Sequence, residues 1–231
     1  MRVMNALSQL DVVALCLFFG AWLIFEFLTD HTDLKNNSLP ALMARQRRTW
    51  MLEMADRDLR MIDTQIMQGL QNGAAFFGSA CIFAIGGTFA LIGATDEVIR
   101  VYEDLRGSAE TSRQLYELKV LGLTVIFVYS FFKFGWSYRL FNYSSILIGA
   151  VPMIKSDNQE ERRQSALVAA EMNITASRHF TAGLRGIFFA LAYLGWFVNP
   201  LVLLSTTAFV ILVLVRRNYF SRAHRILLEN E

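Results

Sequence analysis

GIFFALAYLGWFVNPLVLLSTTAFVILVLV, residues Gly186 to Val215, runs for 30 positions without a charged side chain. As one helix it would measure ~45 Å against a hydrocarbon core of ~30 Å. Asn199-Pro200 stands near its middle, where proline removes a backbone donor and steers the residue before it away from helix. The stretch therefore reads as a hairpin of two membrane spans, about Leu184 to Val198 and Leu201 to Val215, with a single bent helix as the alternative. Each arm is short, so Arg185 and Arg216 are expected to snorkel at the membrane edge.

Three more spans follow from the same criterion. Leu70 to Ala94 carries no charge over 25 positions, and shorter apolar runs lie at about Asp11 to Leu28 and Val120 to Tyr138. With 54% hydrophobic residues and a mean hydropathy of +0.36, the chain is too apolar for a water-facing surface. The fold class is thus an all-α integral membrane protein of about five transmembrane helices, or four with a bent last helix, in a single domain. The first run carries Glu26 and lacks a small-residue cleavage site, so it reads as a permanent span and not a signal peptide. Both cysteines, Cys16 and Cys81, fall inside spans, which argues against a disulfide framework, and no metal-ligand spacing is present.

Charge placement orients the bundle, because basic residues concentrate on the cytoplasmic side. Five spans with the N-terminus outside put 15 of the 22 lysines and arginines inside, including Arg45, Arg47, Arg48, Arg178, Arg216 and Arg225. Four spans would strand the last four arginines on the other side. The expected location is the bacterial inner membrane, with a cytoplasmic C-terminus.

Two segments between spans carry helical patterning. In Pro40 to Gly69, methionines and Trp50 alternate with charge, as in a helix on the inner leaflet or an adaptable partner-binding surface. In Ser156 to Ser177, Ser156 or Asp157 stands as N-cap and Ala166, Ala169, Ala170 and Ala176 suit close packing. The segment Thr95 to Leu118 reads as a solvated face. The glycines of the second span, Gly69, Gly73, Gly78, Gly86, Gly87 and Gly93, read as a close-packing surface.

Ionisable groups near the bilayer centre cost ~2.5 to 3.5 kcal/mol and mark functional positions. Lys133 shares a helical face with Ser130 and Ser137. Glu26 and Asp30, four residues apart, reach a similar depth, and Gln65, Gln68, Asn72 and Ser79 form a stripe on the second span. The expected site is a polar pathway or interhelix network of Glu26, Asp30, Gln68, Asn72, Lys133, Ser137, Arg139 and Asn142. The structural alternative is that Lys133 snorkels or pairs with Glu26 while the amides tie helices together.

No nucleophile elbow, phosphate loop, dinucleotide fingerprint or zinc motif occurs, so neither catalysis nor a cofactor is expected. His31, His179 and His224 are scattered. The Asn-x-Ser/Thr matches at Asn36, Asn142 and Asn173 fall on the inner side and read as chance. Arg47-Arg48-Thr49-Trp50, Gln71-Asn72-Gly73 before Phe76-Phe77-Gly78-Ser79, Ser130-Phe131-Phe132-Lys133-Phe134 with Ser137-Tyr138-Arg139-Leu140-Phe141-Asn142, and Gly183-Leu184-Arg185-Gly186 before Trp196-Phe197 follow in order. In these the chain resembles the domain-of-unknown-function 599 family of multipass membrane proteins, from about Asp11 to Ser221. The resemblance implies a helical membrane protein without an assigned activity and draws attention to Arg48, Trp50 and Arg185.

The functional expectation is an oligomeric channel-like or transporter-like protein for a small ion or solute. The competing expectation is a scaffold that organises a membrane complex through the Met-rich helix. Expected partners are the lipid bilayer, further copies of the chain and a second membrane protein, with no nucleic acid and no metal.

Overall fold

A computed structural model describes residues 7–31, 37–106, 112–153 and 158–229. Among them the regular elements are all helices: α1 (Gln9–His31), α2 (Leu39–Ala55), α3 (Met61–Gly93), α4 (Thr95–Arg106), α5 (Arg113–Ala150), α6 (Gln159–Tyr193), α7 (Gly195–Val198), α8 (Pro200–Tyr219) and α9 (Arg222–Leu228). Five stretches are long and apolar enough to cross a membrane: Gln9–Thr29, Met61–Gly93, Arg113–Ala150, Gln159–Val198 and Pro200–Leu228.

The last apolar region is the expected hairpin, which removes the four-span alternative. Asn199 is extended, at φ −168° and ψ 167°, and its side chain accepts from the Val202 backbone N–H at 2.8 Å, capping α8 with Pro200 in the first turn. The two arms are tied when Thr206 donates its hydroxyl to the Ala192 carbonyl at 2.7 Å. A Cβ at Gly195 would meet the Thr206 hydroxyl at 2.6 Å, so the crossing needs glycine there.

The two inner segments differ from the sequence reading. Residues 40–69 are not one helix: α2 ends at Ala55, and α3 starts at Met61 and runs unbroken through the span. With no proline from Met61 to Gly93, nothing stops the helix at the membrane edge. Residues 156–177 likewise form no separate helix. The cap is Asn158, whose side chain accepts from Glu161 N–H at 3.1 Å, and α6 continues to Tyr193. The predicted caps Ser156 and Asp157 lie outside the described residues. The charged first half of α6 has strong helix formers and no terminator before the apolar half, so one rod serves both environments.

At 33, 38 and 35 residues, α3, α5 and α6 exceed what a bilayer requires. Their excess gathers at one end and, with α2, makes a second storey. Its core holds Met51, Met54, Met67, Leu140, Phe141, Ala166, Ala169, Ala170 and Ala176, so the four alanines pack closely as expected. The first storey joins α1, α7 and α8 to the other halves of α5 and α6, around Phe18, Trp22, Phe189, Tyr193 and Trp196. Where the storeys meet, Phe134 stacks on Phe77 at 5.5 Å and meets Phe180 edge-on at 5.5 Å.

Within the single chain the glycines of α3 meet the close-packing reading at one position. Of the six in α3, only Gly78 has a neighbour in Cβ reach, Phe134 Cβ at 3.7 Å. Close contact depends instead on Gly122, against Tyr193, and on Gly183 and Gly186, against Phe134 and Ser130. The α5–α6 seam is where backbones approach, because each helix sets glycine against a side chain of the other: Gly183 and Gly186 of α6 against Phe134 and Ser130, and Gly122 of α5 against Tyr193. Residues Thr95 to Arg106, read as a solvated face, form the helix α4, with Asp96 and Glu97 exposed.

Candidate functional site

Two ionic groups join α1 to α5 in the first storey. At one end Asp11, 6% exposed, accepts from Trp196 Nε1 at 2.7 Å, and its other oxygen accepts from the Ser8 hydroxyl at 2.7 Å. The Lys119 ammonium, on a side chain 8% exposed, sits 5.3 Å from the Trp196 ring centroid. At the other end Tyr129 donates its hydroxyl to Glu26 at 2.7 Å, and the Lys133 ammonium lies 5.2 Å from the Tyr129 ring centroid.

The groups have the same composition: an acid on α1, a lysine on α5 and an aromatic ring that serves both. A carboxylate that accepts from a ring N–H or O–H gains ~1.5 to 3 kcal/mol, and a cation over the ring face adds ~0.5 to 2 kcal/mol. That matches the cost of placing charge in an apolar helix. Asp11 and Glu26 are separated along α1 by about 22 Å, and Lys119 and Lys133 along α5 by about 21 Å, at the helical rise. The matching order makes α1 and α5 run the same way.

Between the groups the interior is filled. Trp22 stacks on Phe189 at 5.1 Å and 10°, and meets Tyr129 edge-on at 5.3 Å, while Phe18 packs on Phe189 and Tyr193. Trp22 Nε1 is buried among these rings without a hydrogen-bond partner. An orphaned buried donor at ~1 to 3 kcal/mol is a weak point in an otherwise close-packed wall.

The expected eight-residue network divides. Glu26 and Lys133 meet through Tyr129. Asp30 belongs to α1, and its side chain lies outside the described residues. Ser137 is buried and donates to the Ala176 carbonyl at 2.8 Å, a tie between α5 and α6. Arg139 is exposed and bonds Tyr143 on its own helix at 2.6 Å, a turn and a half beyond Lys133 on another face. Gln68 and Asn72 are exposed on α3, where Gln71 takes the inward place and donates to Ser145 at 3.0 Å. The stripe was assigned to the wrong side of the helix because hydrophobicity around it is nearly uniform. Asn142 is half-buried on α5, away from the Glu26 group.

Two of the family-motif positions, Arg48 and Trp50, bind the second storey. Arg48 pairs with Glu171 at 2.5 Å, and Trp50 Nε1 donates to the buried Asp63 at 2.7 Å, which Arg57 also approaches at 3.3 Å. Arg47 donates to Asn173, and burial holds its guanidinium below the ordinary arginine range. Arg185 does not snorkel. It is 3% exposed inside the bundle, next to Arg217, because the seam between α6 and α8 encloses it. Met51, Met54 and Met67 are core residues, so of the five methionines in residues 40–69 only Met43 and Met61 face outward. His224 bonds the Asn37 carbonyl at 2.6 Å and His179 lies edge-on to Trp136, both in structural contacts. Among the described residues no cluster of histidine, cysteine or carboxylate could hold a metal.

Sequence reasoning missed Asp11 and Lys119. Their signal was a carboxylate in the first turn of an apolar span, with a tryptophan near the end of the α6 arm to receive it. A family model described as "Protein of unknown function, DUF599" matches residues 13–223. The chain belongs to that family. The DUF599 match takes in Glu26, Tyr129 and Lys133 and leaves Asp11 outside its first residue. No curated protein and no solved structure matches the chain.

Proposed function

We propose that this DUF599 protein is a multipass protein of the bacterial inner membrane that binds a small ion or a proton at Glu26, Tyr129 and Lys133 and passes it along the side chains that bridge α1 and α5. The observation that carries this reading is the Tyr129 hydroxyl on Glu26 at 2.7 Å, with Lys133 on the same ring, inside an apolar stretch of both helices. An acid and an amine that interrupt apolar helix faces are held where charge must be handled. Supporting it, the Trp22 donor without a partner faces the same wall of rings.

In this proposal the N-terminus is outside and the second storey is cytoplasmic, as the excess of arginine there favours. The protein works as an oligomer, with the outward amides of α3 at the contact between copies. Purified protein in sealed vesicles is expected to carry flux of a proton, potassium, sodium or chloride above protein-free vesicles. Tyr129→Phe and Lys133→Met should each lower it at least tenfold while the melting temperature moves by only a few degrees. No flux of any of the four by the unmodified protein, or undiminished flux in both variants, would overturn the reading.

A further inference from the structure

On the outer side of α8, a groove of about 550 Å³ is lined by Ala208, Ile211, Leu212, Val215, Arg216 and Phe220. These residues recur every three or four positions, so they form one helical face. All but one are apolar, and the exception, Arg216, is exposed at the end where the span finishes. The next two exposed arginines, Arg222 and Arg225, follow within α9. Arg217 faces the other way, with its guanidinium 5.1 Å from the Phe188 ring centroid. No aspartate or glutamate occurs in α8, so Arg216 has no carboxylate on its own helix, and the acid next to α9 is its C-cap Glu229, one turn after Arg225.

We infer that this groove seats an anionic phospholipid, its acyl chain along Ala208, Ile211, Leu212 and Val215 and its phosphate on Arg216. Tail and head are matched by one continuous surface, apolar for most of its length and cationic at one end. The last-turn carbonyls of α8 repel an anion, so the contact depends on the guanidinium, whose planar fork suits phosphate oxygens. Arg222 and Arg225 add to the local field that draws an anionic head group. The inference rests on the reading of the five apolar helices as spans and is independent of the ion site.

The test is native mass spectrometry of the full chain from nanodiscs containing equal phosphatidylglycerol and phosphatidylethanolamine. The unmodified protein should retain phosphatidylglycerol preferentially, and Arg216→Gln should weaken that preference roughly fivefold. Leu212→Trp, which fills the groove and leaves every arginine in place, should also release the lipid. Arg216 is exposed and Leu212 faces outward, so both variants should fold, which an unchanged melting temperature verifies. Equal retention of the two lipids, a preference that survives Leu212→Trp, or displacement of the lipid by excess inorganic phosphate would each overturn the seat. Failure of the chain to enter nanodiscs at all would overturn the span reading with it, whereas loss of lipid preference inside nanodiscs overturns only this inference.

Discussion

Glycine shows most directly how one residue type takes opposite roles in this chain. A Cβ at Gly183 would lie 2.8 Å from the Phe134 ring, and one at Gly122 would collide with the Tyr193 hydroxyl, whereas Gly135 on the same α5 rod has open space. Gly122→Ala and Gly183→Ala are therefore expected to destabilise by about 1 to 3 kcal/mol, the usual cost of overpacking. Gly135→Ala should be neutral or stabilising by up to about 1 kcal/mol through helix propensity. Melting temperatures in one detergent would compare the three, and equal losses would argue against the seam described. Gly183 and Gly186 were visible as motif positions, but Gly122 was not, since its partner Tyr193 is 71 residues away. The same limit explains the ionic groups. Glu26 and Lys133 stood out because each interrupts an apolar run. Asp11 and Lys119 stood at run ends, where charge is ordinary, and only the fold brings Trp196 over them.

The spans were legible as elements because a bilayer demands ~20 apolar residues, and the hairpin because Asn199-Pro200 carries its own cap chemistry. What composition concealed was continuity. A change from apolar to charged residues looks like a helix boundary, yet the backbone of α3, α5 and α6 crosses it without interruption. The second storey then needs its own ends closed. Arg60, in the linker after α2, donates to the Ile148, Val151 and Pro152 carbonyls at 3.2, 2.7 and 2.8 Å, capping the C-terminus of α5. A cation at that end also meets the negative pole of the helix. Arg60→Ala should cost about 2 to 3 kcal/mol, and Arg60→Lys most of that, because a single ammonium cannot reproduce the fork. A melting temperature lowered by roughly 4 to 12 °C would bear this out. Proteolysis or hydrogen exchange should place the loosening at residues 148–153, and uniform loosening over the bundle would contradict a capping role.

At the scale of the molecule, the two storeys divide labour by solvent. One is sized to a bilayer and carries two paired ionic groups, and the other holds its charges in arginine contacts with carbonyls, amides and carboxylates. Of the five spans α3 is the least buried, with 17% of its most apolar window covered against 56% for that of α6. Its outer face carries Gly86 and Gly87 in open space, with Phe83 and Phe89 exposed on either side of them. Small residues between large ones on a lipid-facing helix allow a second helix to approach closely, and backbone packing is a main source of association in a bilayer. Gly87→Leu is therefore expected to leave the melting temperature of the single chain nearly unchanged, since no neighbour lies within 4 Å of its Cβ. The same substitution should shift the native mass spectrum from an assembly toward single copies. An assembly unaffected by Gly87→Leu would place the contact on another helix. An unmodified protein that is monomeric in a bilayer mimic would remove the oligomer and confine any ion movement to the side chains that bridge α1 and α5 within one chain.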